Sequence, residues 1–99
     1  MRRTLVATLA AAGLALAGAA HAQVDAKKAE ATAKELGCLA CHAVSSKKVG
    51  PAFKEVAKKF KGAPDKLVAD LKANKDHVDV VKDAKDADLK LVASWIASM

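Results

Sequence analysis

The sequence predicts an all-α domain of about four short helices, with a ligand-binding turn after the first. Three observations carry that expectation. Apolar residues recur at helical spacing in the stretches that begin at Phe53 and at Leu89. Gly37, Gly50-Pro51 and Gly62 to Pro64 fall between the periodic stretches, where helices end and begin. No stretch sustains the apolar–polar alternation of a half-buried strand, and there are no internal repeats and no linker.

The first stretch reads as an export signal. Arg2 and Arg3 precede an apolar run from Leu5 to Ala20, and Ala20-His21-Ala22 matches an A-x-A cleavage site. Residues 1–22 are therefore expected to be a signal peptide and residues 23–99 the folded domain. The alternative is a retained anchor, for which the run is short against the ~20 residues a spanning helix needs. No later segment is apolar enough to span a membrane. Secretion implies a periplasmic destination, an oxidising compartment in which two cysteines are otherwise expected to pair.

Asp25 is placed to cap a first helix that runs to about Leu36. Ala26, Ala29, Ala33 and Leu36 share one face, and its small residues allow close approach of another element. Gly37 stands where a C-cap belongs. Residues 43–50 read as a loop. Phe53, Val56, Ala57 and Phe60 form the stripe of a second helix, which Gly62 closes. Pro64 suits the first turn of a third helix, with Leu67, Val68 and Leu71 as its stripe, fading near Asn74. Residues 75–85 are polar and irregular. Within them Val78-Asp79-Val80-Val81 reads either as a brief extended piece or as part of a loop over a ligand. Asp83 or Asp86 is expected to cap a last helix lined by Leu89, Val92 and Ile96 and widened by Leu91 and Trp95.

The chemistry concentrates at Cys38-Leu39-Ala40-Cys41-His42. This C-x-x-C-H string reads as a covalent c-type haem attachment site. On one helical turn, positions i, i+3 and i+4 share a face. Both thiols can then reach one edge of a porphyrin, and His42 can bind the iron from below. A zinc site is the first alternative. It needs four nitrogen or sulfur ligands, so both His42 and His77 would be drawn in. A thioredoxin-like dithiol needs a βαβ context that the sequence does not offer. A plain disulfide leaves His42 without a role. The mature domain is also short of large core residues, with Phe53, Phe60 and Trp95 its only aromatic ones. A covalent haem would supply the missing apolar mass.

Residues 23–99 hold 15 lysines, 11 acidic residues and no arginine, a formal charge of +4. Lys47, Lys48, Lys54, Lys58, Lys59 and Lys61 follow the motif closely. Without arginine forks or interleaved aromatics, nucleic acid is not the expected partner. An acidic redox protein, docking transiently on these lysines, is the better match. A merely solvated lysine face is the alternative.

The domain resembles the class I cytochromes c, in particular the small monohaem bacterial type. The resemblance rests on the helix ending at Gly37, on Cys38-Leu39-Ala40-Cys41-His42-Ala43, on Val49-Gly50-Pro51-Ala52-Phe53, and on a last helix carrying Trp95-Ile96. It implies the cytochrome c fold, one covalent haem c with iron, and packing of the first helix on the last. It also implies that the Pro51 carbonyl accepts a hydrogen bond from His42, which would fix the tautomer and raise ligand basicity. The family usually supplies a methionine sixth ligand from the loop before the last helix. This chain has none there, since Met1 lies in the signal and Met99 ends the chain. His77 falls near the expected place, so His42 and His77 are the expected metal ligands. An open position, or one taken by water, Lys75, Asn74 or Met99, is the alternative.

The expected function is single-electron carriage between partners, not catalysis. A haem sensor or small-ligand-binding cytochrome with an open or displaceable sixth position is the alternative. A non-haem secreted helical domain with one disulfide is the reading furthest from these.

Overall fold

A computed structural model of the chain describes residues 24–99. The expected signal segment, 1–22, lies outside the described residues. Among the described residues five α-helices follow one another: α1 (Ala26–Leu36), α2 (Phe53–Phe60), α3 (Pro64–Ala73), α4 (Val78–Val81) and α5 (Asp86–Ala97). Two 3-10 turns, Cys38–Ala40 and Lys75–His77, punctuate them. No strand occurs among the described residues. No described helix is long and apolar enough to cross a membrane.

Local chemistry sets the ends of α1. The Asp25 carboxylate accepts from the Lys28 N–H at 3.1 Å, which satisfies one of the donors that a helix start leaves unpaired. Gly37 closes the helix in the left-handed region at φ 88°, and its N–H reaches the carbonyls of Ala33 and Lys34. A side chain there would be strained.

The terminal helices pack on each other, and α2 and α3 complete the layer against α5. Ala29, Ala33 and Ala93 are fully buried, and these small residues let α1 and α5 approach closely. Leu89, Val92, Trp95 and Ile96 of α5 are also buried, and Leu67 of α3 joins the core with them. From α2, Phe53 meets Trp95 edge to face, with centroids 5.7 Å apart at 72°. Gly62 donates to the Ala97 carbonyl at 3.2 Å, which ties the α2–α3 corner to the end of α5. Lys72 reaches Asp86 at 2.8 Å and Lys90 reaches Asp65 at 3.9 Å, both from α3 to α5. These pairs are exposed and add a few tenths of a kcal/mol each.

Two expectations are corrected. Val78–Val81 is a short helix, neither a brief extended piece nor a loop. The valines favour a strand only where another strand can pair with them. Here the segment instead continues from the Lys75–His77 turn through bonds to its own backbone, including Lys82 N–H to the Val78 carbonyl at 3.0 Å. Neither Asp83 nor Asp86 caps α5. Lys85 holds the cap position with no side-chain bond, and Asp86 and Asp88 lie inside the first turn. Their charges still complement the helix dipole.

Candidate metal and cofactor site

Gly37 turns the chain out of α1 and directly into the cysteine motif. The carbonyl of Cys38 then accepts from Cys41 N–H at 3.3 Å and from His42 N–H at 3.0 Å. Residues 38–42 are therefore one helical turn, which carries both thiols and the imidazole. Both cysteines are free thiols, Cys38 half-buried and Cys41 exposed. Burial pushes the Cys38 thiol up from its ordinary value, against a smaller lowering by a backbone hydrogen bond.

The loop after the motif folds back beneath it. Gly50 N–H donates to the Cys41 carbonyl at 2.7 Å, and Phe53 N–H donates to the Ala43 carbonyl at 2.9 Å. This brings Pro51 against the histidine. His42 Nδ1–H donates to the Pro51 carbonyl at 2.6 Å. That bond commits the proton to Nδ1 and leaves Nε2 as the ring's lone-pair donor. Gly50 leaves room for the ring. A Cβ there would collide with His42 Cε1 and stand 2.8 Å from each ring nitrogen. Phe53 stacks on the same imidazole, centroids 5.3 Å apart at 22°, and so links the ring to Trp95.

His77 arrives from the far side of the molecule's sequence. Asn74 Oδ1 accepts from Asp76 N–H at 2.8 Å and starts the 3-10 turn that ends in His77. The His77 Nδ1 is buried without a hydrogen-bond partner. The rings of His42 and His77 lie with centroids 6.2 Å apart and planes inclined by 22°.

The donor set fits a covalent haem: two unpaired thiols share a turn, one imidazole is fixed with Nε2 available, and a second imidazole lies beside it. The alternatives for the sixth position are otherwise occupied or placed. Asn74 spends its side-chain oxygen on the Asp76 N–H. Met99 packs against the core, with its N–H on the Ile96 carbonyl at 3.1 Å, while α5 remains wound to Ala97. Lys75 is exposed. The zinc alternative lacks its ligands, because no group of three or more His, Cys, Asp or Glu gathers among the described residues.

Sequence reasoning missed two supporting roles. Gly50 reads there only as a turn residue, and its clearance of an imidazole eight positions earlier is a tertiary fact. Asn74 reads there as a helix end and as an alternative sixth ligand, and its role in starting the next turn was missed, although an Asn two residues before an Asp N–H is a local turn signal.

No family model matches the chain. Individual relatives do. Cytochrome c-552 of Hydrogenobacter thermophilus is 40% identical over 78 residues, covering 71% of this chain and 80% of that protein. Cytochrome c-552 of Nitrosomonas europaea is 33% identical across 100% of this chain and 99% of its own. Among solved structures, the class 1 cytochrome MtoD of Sideroxydans lithotrophicus ES-1 superposes with a TM-score of 0.63 at 28% identity, over 77% of this chain and 97% of that one.

Proposed function

Since the chain belongs to the small class I c-type cytochromes, we propose that it is a periplasmic electron carrier whose haem iron would be bound by His42 and His77. As a member of that family it carries covalently attached haem c with iron, and it is an electron carrier rather than an enzyme. When bound, the haem supplies a one-electron Fe(III)/Fe(II) couple.

The chain's own residues do the rest. Cys38 and Cys41 hold the haem as thioethers. Pro51 keeps the His42 proton on Nδ1 and makes Nε2 a stronger donor. Phe53 and Trp95 keep water from that side of the imidazole. The observation that carries the ligand assignment is the 6.2 Å approach of His77 to His42, in a loop that has no methionine. Two nitrogen ligands need not change with oxidation state, which suits repeated electron passage. Methionine raises the potential of a c-type haem, so this protein's potential lies below that of His/Met cytochromes.

Lys47, Lys54 and Lys58 line a concavity together with Pro51, whose carbonyl holds His42. This supports docking of an acidic redox partner beside the haem. The domain at work is 23–99, after export and removal of signal peptide 1–22. Absorption and electron paramagnetic resonance of the purified mature protein test the ligand pair. Both oxidation states are low-spin without added ligand, and His77→Ala is high-spin when ferric. A variant that keeps the low-spin ferric spectrum overturns the assignment of His77.

A further inference from the structure

Two neighbouring lysines after the cysteine motif reach different parts of the molecule. Lys47 lines the concavity beside Pro51. Lys48 turns back to the motif, where its ammonium donates to the Leu39 carbonyl at 3.2 Å. Leu39 lies between the two cysteines, and among the described residues no backbone N–H bonds its carbonyl. The carbonyls of the two cysteines are answered by the main chain instead. Cys38 accepts from Cys41 and His42, and Cys41 accepts from Gly50 at 2.7 Å. A lysine near the end of a helical turn can bond a carbonyl left open there. A charged donor makes the stronger bond. Lys48 is also tied at its backbone, since its N–H donates to the Gly50 carbonyl at 3.1 Å. Gly50 is the residue that lies against the His42 ring. One residue therefore joins the span between the thiols to the floor beneath the imidazole.

We propose that Lys48 is a positioning residue of the attachment turn: its side chain holds the Leu39 carbonyl, seats residues 38–42 on the loop beneath, and fixes a positive charge against the turn. This rests on attachment of the haem at Cys38 and Cys41 and needs nothing of His77. A cation held against the turn opposes a further positive charge on the group that the turn carries, so it favours the reduced form. Lys47 brings the same charge to the molecule but carries it into the concavity. Lys47 thus belongs to the docking face and Lys48 to the cofactor site.

The test compares three variants of the mature holoprotein with the wild type. Lys48→Leu removes donor and charge without adding a metal ligand. Lys48→Arg keeps both. Lys47→Leu removes a charge that has no bond to the motif. Each is measured for its reduction potential and, by NMR in the reduced form, for amide exchange. In Lys48→Leu the potential falls, and the Cys41 and His42 amides exchange roughly fivefold faster. Lys48→Arg keeps both readings at the wild-type value. Lys47→Leu leaves the exchange unchanged and shifts the potential less. Equal potential shifts in Lys48→Leu and Lys47→Leu, or unchanged exchange in Lys48→Leu, overturn the proposal and leave the attachment standing. A wild-type peptide holding Cys38 and Cys41 that lacks the mass of haem overturns the attachment and the proposal together. Should Lys48→Leu yield no holoprotein, the ammonium resonance of Lys48 in the wild type decides. A signal exchanging with water as fast as that of Lys47 overturns the proposal, and a slower one supports it.

Discussion

A methyl group on Gly50 would stand 2.8 Å from both nitrogens of the His42 ring and closer still to Cε1. Something must shift, and the near atoms belong to the one imidazole whose position the Pro51 carbonyl sets. Gly50→Ala should therefore cost about 1–3 kcal/mol, the range for overpacking. It should also lengthen or break the bond to Pro51, with an altered ferric spectrum. Gly37→Ala makes a useful contrast. Its φ of 88° strains any side chain, but no atom lies within 4 Å of the added carbon. Its cost, about 1–2 kcal/mol, should appear in urea unfolding of the holoprotein with the absorption spectrum unchanged. An unaltered spectrum in Gly50→Ala would mean that the ring is not confined there.

At the scale of elements, the α1–α5 contact is the joint that holds the domain's two ends together. Ala33 is fully buried in it and Ala31, two positions along, is exposed. Ala33→Leu should lower stability by about 1–3 kcal/mol, seen as a lower urea midpoint. Ala31→Leu should stay within about 0.5 kcal/mol of the parent. Equal effects would mean that the helix faces are assigned wrongly. This joint was legible in the residues, because Ala29 and Ala33 at helical spacing, an Asp before them and a Gly after them are all local signals. The α5 stripe was legible for the same reason. The short helix α4 was not. Its β-branched run reads as a brief strand or as a loop, and what decides otherwise is the Asn74-started turn before it and the absence, among the described residues, of any strand to pair with. The cap of α5 also escaped, since three aspartates near the boundary offer equivalent local choices. As for the site, the Cys38–His42 turn is written in one motif of five residues. The meeting of His42 and His77 requires closure of a chain segment 35 positions long in sequence, which no local pattern encodes.

For the molecule as a whole, charge is unevenly laid out. From 47 to 61 the chain has six lysines and one acid, Glu55. From 76 to 88 it has five aspartates and two lysines. A domain of formal charge +4 thus presents its lysines beside the Pro51 side of the site and its aspartates on the segment carrying His77. An acidic partner approaching in this field is turned lysine side first, and the field reaches no further than the screening length. That length falls from about 30 Å at 0.01 M salt to about 8 Å at 0.15 M. Reduction of the ferric protein by an acidic donor protein should therefore slow by about tenfold or more over that range, measured by stopped flow. Lys54→Gln combined with Lys58→Gln should lower the rate at low salt and flatten its salt dependence. Lys66→Gln, on α3 and also exposed, removes a charge outside the patch and should change the slope much less. Lys58 is already paired with Glu55 at 3.1 Å, so Lys54 should account for the larger share of the double variant's effect. If the rate is indifferent to salt, the lysines are only a solvated face, and electron entry must be governed by contact with the haem edge rather than by charge.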